Sequence, residues 1–241
     1  MARVRAAILA AGRGVRMGGA TPKALIPLDD HGPMLQYLLD GLKKAPIDDL
    51  LVVTGHRASD VEEYVTERWT DAPVTFVRNM RYASWGNFHS VRTALDQSPG
   101  FDLMVVNCDI VVNPEVYRRT IEQHGDLILA VQKRKRLDQE DMRVQLRGDR
   151  VLGVSKNLKM PRSHGEYAGV SLLRGEAPRV YSDICSRLEW QAQTHGYYED
   201  VYDKMLSIVD SRASDVHEGE YAEVDTPEDV AAAVQVADRF F

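Results

Sequence analysis

The sequence predicts an α/β protein built on a doubly wound, mostly parallel sheet, with a smaller β-region added in its second half. Short runs of β-branched residues alternate along the chain with longer amphipathic stretches, as strands alternate with covering helices. In addition, the first apolar run leads directly into a glycine-rich segment that starts at Gly12. Open α/β sheets bind their ligands in loops of this kind, at the carboxyl ends of strands.

The first half of the chain follows this alternation in order. Its predicted strands are residues 4–9, 49–55, 73–79 and 101–109. Its predicted helices are residues 33–45, 58–69 and 86–97. Because crossovers between parallel strands are right-handed, these elements predict a doubly wound half-domain over residues 1–109.

The second half, residues 110–241, is less regular. Strands are predicted at residues 126–132, 142–155, 166–173 and 222–225, the second of them a hairpin that turns at Gly148 and Asp149. Helices are predicted at residues 178–192, 198–209 and 226–240, and the last begins with Thr226 as N-cap and Pro227 in its first turn. No linker or internal repeat separates the halves, so we expect one domain over residues 1–241.

Composition narrows the class of protein. The chain has 241 residues, 44% of them hydrophobic, and a formal net charge of -6, which argues against general binding to nucleic acid or to an anionic membrane. Its two cysteines, Cys108 and Cys185, are far apart and form no CxxC motif, which fits a reducing cytoplasm. The opening apolar run is too short for a membrane span and reads as a first strand.

The glycine-rich segment has the chemistry of an anion site. Gly12 and Gly14 let backbone N–H groups approach a phosphate closely, and Arg16 and Lys23 add positive charge beside them. The segment is neither a Walker loop, which requires Gly-Lys-Ser/Thr, nor a dinucleotide fingerprint, because Met17 stands where the third glycine belongs. A plain glycine turn is the alternative interpretation.

Carboxylates at strand ends indicate a metal site. Asp109 ends the apolar run LMVVNCD, and Glu223 and Asp225 lie two residues apart in AEVD, on one face of a predicted strand. An aspartate after a strand is also a common turn former. Paired carboxylates repel unless a cation or a basic partner holds them, and hard carboxylate oxygens suit Mg²⁺.

The stretch LAAGRGVRMG…PKALIPL, Leu9 to Leu28, resembles the signature of the nucleotidyltransferases that couple a nucleoside triphosphate to a sugar phosphate, phosphocholine or a related acceptor. The resemblance implies the GT-A-like nucleotidyltransferase fold, with Mg²⁺ held by Asp109, Asp225 and, as a third ligand, Glu223. It implies that Arg16 and Lys23 stabilise the triphosphate. The residues it assigns to nucleotide binding in this loop are Leu9, Ala10, Ala11, Gly12 and Gly14.

The same resemblance extends to the second half of the chain. The lysine of GVSKNL, Lys156, matches a family lysine that contacts the acceptor phosphate. The strand EYAGVSLL resembles the family's E-x-x-G strand, which makes Glu166 and Gly169 candidates for acceptor contact. Without the resemblance, a lysine at a strand end is usually solvated.

The segment NMRYASWGNFHSV resembles an Asn-rich stretch of family members that use phosphocholine, inositol phosphate or phosphonates. It places Asn87 and Ser90 among the predicted nucleotide contacts. Its aromatic residues Tyr82 and Trp85 are candidates to line the acceptor pocket, where a ring face can hold a cation. They read equally well as core residues of the following helix.

The predicted reaction is attack by an acceptor phosphate oxygen on the α-phosphorus of the triphosphate, with release of pyrophosphate. Members of the resembled family that have this compact size are frequently cytidylyltransferases, and the likeness of the Asn-rich segment favours CTP as well. Guanylyl or uridylyl transfer to a sugar 1-phosphate is the alternative. A glycosyltransferase would usually have Asp-x-Asp where this chain has Asp109-Ile110-Val111, and a non-catalytic nucleotide sensor is the remaining alternative. The sequence leaves the acceptor and the oligomeric state open, a homodimer included.

Overall fold

The part of the chain that the structure describes contains a nine-stranded sheet with helices packed on both faces. The structure is a computed structural model and describes residues 3–14, 21–28, 30, 32–70, 72–134 and 137–241. The predicted α/β fold class is confirmed, and the sheet is mixed, with parallel and antiparallel strands.

Eleven strands are assigned within the described residues. They are β1 Arg3–Ala10, β2 Asp49–Thr54, β3 Val74–Arg78, β4 Phe101–Asn107, β5 Ile110–Val112, β6 Leu127–Lys133, β7 Arg143–Arg147, β8 Arg150–Ser155, β9 Gly165–Leu173, β10 Ser211–Val216 and β11 Tyr221–Glu223. Seven α-helices are assigned over the same residues. They are α1 Met34–Lys43, α2 Ala58–Arg68, α3 Phe88–Asp96, α4 Glu115–Glu122, α5 Ala177–Trp190, α6 Tyr198–Met205 and α7 Val230–Phe240.

The strand order of the large sheet is β3-β2-β1-β4-β9-β6-β10-β8-β7. Strands β3, β2, β1 and β4 are parallel, as the first half of the sequence predicts. Strand β9 then lies antiparallel to β4, with Val170 opposite Val106. The amino-terminal half of β9 therefore shares an edge of the sheet with the carboxyl ends of β1 and β4.

A second, two-stranded sheet brings the distant carboxylates together. Strand β11 pairs antiparallel with β5, with Glu223 opposite Ile110. Immediately beyond it, the backbone N–H of Val224 donates to the carbonyl of Asp109 at 2.8 Å. The chain around residues 223–225 is thereby fixed beside the end of β4.

The buried faces explain why the strands read as continuous apolar runs. All six residues of β2 and all nine of β9 are buried, because helices cover both sides of the sheet there. One core lies between the sheet and α3, α5 and α6, and another between the sheet and α1, α2 and α4. None of the helices in the described residues is long and apolar enough to cross a membrane.

Several predicted boundaries differ from the observed ones. The hairpin turns at Gly148 and Asp149 as predicted. The short elements β5, α4 and β10 were not predicted. Strand β5 has only three residues and β10 is the polar run SRASDV, whereas α4 is amphipathic but only eight residues long. The predicted strand 222–225 ends at Glu223, so Asp225 follows the strand, and the predicted helix 198–209 ends at Met205.

Candidate active site

Three carboxylates meet at the edge where β4 ends. Oxygen atoms of Asp109, Glu223 and Asp225 all lie within 4.8 Å of one another. Asp109 comes two residues after β4, while Glu223 ends β11 and Asp225 follows it. The structure thus brings together the three residues that the sequence predicted as metal ligands.

Lys23 lies among these carboxylates. Its Nζ is 2.7 Å from Asp109 Oδ2 and also forms an ion pair with Asp225. Burial alone lowers the pKa of Lys23, but the charges and hydrogen bonds of Asp109 and Asp225 outweigh it and raise the pKa well above its usual value. Lys23 is therefore a fixed positive charge that offsets the repulsion between the two aspartates.

Gly14 passes directly over the lysine backbone. Its φ is +58°, and a Cβ at this position would lie 3.1 Å from Lys23 Cβ. A side chain would be strained there and would also crowd the lysine. This is a structural reason for glycine at position 14, in addition to the approach of a ligand.

The carboxylate cluster fits a divalent cation. Asp109 Oδ1 is buried and has no hydrogen-bond partner among the described residues. Burial, followed by the charges of Asp109 and Asp225, raises the pKa of Glu223 to about 8. An oxygen donor set with excess negative charge and one unpaired oxygen is chemically suited to Mg²⁺.

A cavity of about 170 Å³ opens beside this cluster. Its lining residues are Asn87, Asn107, Asp109, Glu140, Met142, Lys156, Tyr167, Gly169, Tyr197, Glu199, Glu223 and Asp225. Six of the predicted site residues are among them: Asn87, Asp109, Lys156, Gly169, Glu223 and Asp225. The remaining six were not predicted as site residues.

Lys156 is positioned by a buried arginine. Arg143 is 6% exposed, and its guanidinium donates to the backbone carbonyls of Lys156 and Leu158, the latter at 2.9 Å. The lysine Nζ lies 3.6 Å from Glu140 Oε2 and 5.8 Å from the centre of the Tyr197 ring. Lys156 therefore places a cation at the cavity wall. Its backbone is fixed by the hydrogen bond from Arg143, whereas its Nζ makes the two longer contacts just given.

The floor of the cavity depends on Gly169. This residue has a φ of +71°, and a Cβ on it would lie 3.1 Å from Asn107 Cβ and Nδ2. Asn107 in turn accepts a hydrogen bond from the buried Tyr198 hydroxyl at 2.8 Å. Position 169 thus requires glycine for its conformation and for its close approach to β4.

Helix α6 is tied to the same edge at its first turn. The Tyr198 N–H donates to Asn87 Oδ1 at 2.9 Å, and the carboxylate of Asp200 accepts from the Tyr197 N–H at 2.8 Å. These bonds fix Glu199 at the cavity wall. Burial is the main cause that raises the pKa of Glu199 to about 7.

The predicted nucleotide loop begins at the end of β1. Ala10 and Ala11 are buried, and the Ala11 carbonyl accepts from the His56 N–H at 3.1 Å. A Cβ on Gly12 would meet none of the described residues within 4 Å. Leu9 lies opposite Asn107 in the sheet. Arg16 lies outside the described residues.

The other predicted contacts are inside the fold or in a neighbouring pocket. Ser90 is 3% exposed, and its hydroxyl accepts from Asn79 Nδ2 at 2.9 Å. Trp85 stacks on Phe88, with ring centres 6.1 Å apart, as the core interpretation expects. Tyr82 crowds Gly55, beside the nucleotide loop, where a Cβ would lie 2.8 Å from its ring.

Glu166 lines an adjoining cavity, together with Arg134. Arg134 Nη1 lies 2.9 Å from its Oε2, while burial raises the pKa of Glu166 to about 7 in spite of that partner. The two cavities share Glu140, Glu223 and Asp225. Glu166 therefore lines the second of the two cavities beside the acidic cluster, and Glu199 lines the first.

The chain matches the MobA-like NTP transferase domain over residues 6–196. This match covers most of the chain and includes the glycine loop, Asp109 and Lys156. The fold and the site thus define a nucleotidyltransferase, and the chain belongs to the MobA-like NTP transferase domain family.

Solved structures show the same fold. The inositol-1-phosphate CTP transferase from T. maritima superposes with a TM-score of 0.82 at 18% identity, covering 99% of this chain and 98% of that one. The CTP:phosphocholine cytidylyltransferase from Streptococcus pneumoniae gives 0.78 at 20% identity, covering 95% and 96%. At these identities the likeness establishes the fold.

Sequence relatives match over part of their length. The bifunctional protein GlmU of Symbiobacterium thermophilum is 30% identical over 132 residues, which cover 52% of this chain and 26% of GlmU. The CMP-5'-(3-aminopropyl)phosphonate synthase of Streptomyces rubellomurinus is 32% identical over 122 residues, which cover 48% of this chain and 19% of the synthase. The chain spans about a quarter or less of the length of these curated relatives.

Proposed function

We propose that this protein transfers CMP from CTP to a small phosphorylated or phosphonate acceptor, with Mg²⁺ as cofactor and pyrophosphate as second product. The observation that carries the proposal is one edge of the sheet that holds an acidic cation site, Lys23 and Lys156. Transfer between two polyanions needs positive charge on both, and this edge offers two lysines near the carboxylates.

The reaction is an in-line displacement. An acceptor oxygen forms a bond to the α-phosphorus, the bond to the β-phosphate bridging oxygen breaks, and pyrophosphate leaves with that electron pair. A phosphate monoester or phosphonate is anionic at neutral pH, so the acceptor needs no general base. The chain's main contributions are therefore positioning and charge stabilisation.

The residues divide this work between them. Asp109, Asp225 and Glu223 would hold Mg²⁺, which when bound neutralises charge on the phosphate oxygens. Lys23 neutralises Asp109 and Asp225 and stays within reach of an arriving triphosphate. Lys156 binds the acceptor's phosphorus group from the opposite wall of the cavity.

CTP is favoured by the names of three relatives of different kinds. Both solved structures described above are CTP enzymes, and the Streptomyces rubellomurinus protein is named for a CMP product. The repeated matches to GlmU favour the alternative, a nucleotidyl transfer to a sugar 1-phosphate. The base and the acceptor are therefore the points to test first.

The direct test is pyrophosphate release with Mg²⁺ and each of CTP, UTP, GTP and ATP, against phosphocholine, inositol 1-phosphate, hexose 1-phosphates and aminoalkylphosphonates. We expect release with CTP and one acceptor class. Thermal unfolding provides a second readout, because CTP at 100 times its Kd stabilises the fold by about 2.7 kcal/mol. Release with UTP or GTP and a sugar phosphate would replace the CTP proposal. Stabilisation by nucleotide sugars, without pyrophosphate-dependent reversal, would indicate a glycosyltransferase.

A further inference from the structure

The cavity beside the metal cluster is unusually acidic for a site that receives a phosphorylated acceptor. The side chains that line it among the described residues include one amine, Lys156, and five carboxylates: Asp109, Glu140, Glu199, Glu223 and Asp225. Three of the carboxylates form the metal cluster. Glu140 lies 3.6 Å from Lys156. Of these five carboxylates, Glu199 is the one to which neither of these two roles is assigned.

Glu199 is buried, and one of its two carboxylate oxygens lacks a hydrogen-bond partner among the described residues. The residue is 5% exposed, and its Oε2 has no hydrogen-bond partner among the described residues. A buried carboxylate oxygen without a donor is costly, so it calls for a partner that the described residues do not supply. The position of Glu199 is fixed through the preceding residue, Tyr198, which donates hydrogen bonds to Asn87 and Asn107 in two other parts of the fold.

The charges around Glu199 select the kind of partner. Asp200 and Asp109 are its acidic neighbours, and both make its ionised form less favourable. A neutral hydroxyl would satisfy the oxygen but leave this negative charge in place. A primary ammonium would satisfy both, since it carries N–H donors and a full positive charge. A quaternary ammonium would supply the charge without a donor.

We propose that Glu199 is the specificity-determining residue for the acceptor and that it binds a primary ammonium group. The acceptor is then a zwitterion, with its phosphate or phosphonate on Lys156 and the metal side and its ammonium on Glu199. This inference rests on the proposed nucleotidyl transfer and names the acceptor class for it.

The test compares acceptors that differ in the amine. With the best triphosphate and Mg²⁺, pyrophosphate release is measured for phosphoethanolamine against ethyl phosphate, and for 2-aminoethylphosphonate against ethylphosphonate. Phosphocholine and the 2-hydroxyethyl phosphate complete the series. We expect the primary amine to raise kcat/KM about 30-fold or more in at least one pair, as a buried charge pair would. The two pairs distinguish a phosphate ester from a phosphonate.

The variant Glu199→Gln tests whether this residue reads the amine. We expect KM for the amino acceptor to rise about 30-fold while KM for its amine-free partner stays within about two-fold, so that discrimination is lost. Glu189→Gln, at an exposed position of α5, is the matched control and should keep the wild-type ratio. Should Glu199→Gln fail to fold, the wild-type ratio and Glu199→Asp still decide the question.

The outcomes separate the two proposals. Equal use of amino and amine-free acceptors by the wild type, or a preference that survives Glu199→Gln, overturns the role of Glu199 and leaves nucleotidyl transfer standing. An equal loss for both acceptors would make Glu199 a positioning residue and also overturns its role. Absence of pyrophosphate release with every acceptor, hexose 1-phosphates included, overturns the proposed function and this inference with it.

Discussion

The two ends of the cavity differ in what neutralises the charge of their carboxylates. At one end, Asp109 and Asp225 are half-buried beside Lys23, which forms ion pairs with both. At the other end, Glu199 is buried without a donor for its Oε2 among the described residues. The first end supplies part of its own neutralising charge, while the second leaves that charge to a ligand. The difference fits the two proposals, a bound cation at the first end and a charged acceptor group at the second.

The largest effect is expected from Asp109→Asn. Loss of this carboxylate removes a ligand of the proposed cation, and turnover should fall at least about 100-fold because the metal supplies several kcal/mol of charge stabilisation. Pyrophosphate release at saturating CTP and Mg²⁺ measures this. Asp215→Asn, which affects an exposed aspartate paired with Lys133, is the control. Turnover near the wild-type level in Asp109→Asn would remove the metal assignment from this end of the cavity.

The next effect is expected from Lys156→Ala. Loss of the charge that faces the acceptor should raise the acceptor KM about 10- to 100-fold, the range for a hydrogen bond to a charged group, and change the CTP KM much less. Lys159→Ala, at an exposed position three residues further on, is the control. A change confined to CTP would mean that Lys156 belongs with the nucleotide, and the two ends would have to be reassigned.

The pH dependence of stability tests whether Glu199 lacks a partner in the folded protein. Folding raises the pKa of this carboxyl from 4.5 to about 7, so its protonated form is favoured in the fold. Its contribution to stability is therefore complete below about pH 4.5 and is lost as the pH rises through about 7. The Tm of Glu199→Gln should lack that part of the decline.

This prediction is measured as the difference in Tm between wild type and Glu199→Gln from pH 5 to pH 8. The difference should grow by a few degrees in favour of the variant as the pH rises. The pKa values of Glu166 and Glu223 are raised as well, and their contributions cancel in the difference. A constant difference across this range would mean that Glu199 is already ionised and partnered in the folded protein.

The smallest effect is expected from a substitution of Gly169, at the floor of the cavity between its two ends. Gly169→Ala and Gly148→Ala both place a side chain at positive φ, which costs about 1–2 kcal/mol. At Gly148 the added Cβ meets nothing within 4 Å, whereas at Gly169 it lies 3.1 Å from Asn107. We expect Gly169→Ala to be less stable by about 1 kcal/mol more, and to lower turnover as well. Equal Tm values for the two variants would show that the Asn107 contact is loose.

The structure confirms the local predictions most closely where the periodic signal is strong. The four strands and three helices of the first half appear with boundaries shifted by a few residues, because long apolar runs and amphipathic stretches have clear periods. Gly148 and Asp149 marked their hairpin by turn chemistry alone. In contrast, β5 has three residues and forms by pairing with the distant strand β11, so the local sequence does not predict it.

The candidate site divides in the same way. The glycine loop, Asp109 and the Glu223 to Asp225 pair were readable because their residue types follow strands in a recognisable order. For Glu199 the sequence offered no reason to choose between the active site and solvent, since a glutamate in a first helical turn is ordinarily a surface residue that complements the helix dipole. Its burial comes from Tyr198, whose bonds to Asn87 and Asn107 join residues 111 and 91 positions apart.

The sequence by itself determined the fold class, the glycine loop at the end of the first strand and the carboxylates of the proposed cation site, because these follow from residue type and short-range spacing. The tertiary structure alone decided which charges meet. Lys23 contacts Asp109 across 86 positions and Asp225 across 202, and Glu199 is enclosed in the same cavity. The physical reason is that burial and Coulomb energy depend on distances in space, and the sheet order sets those distances.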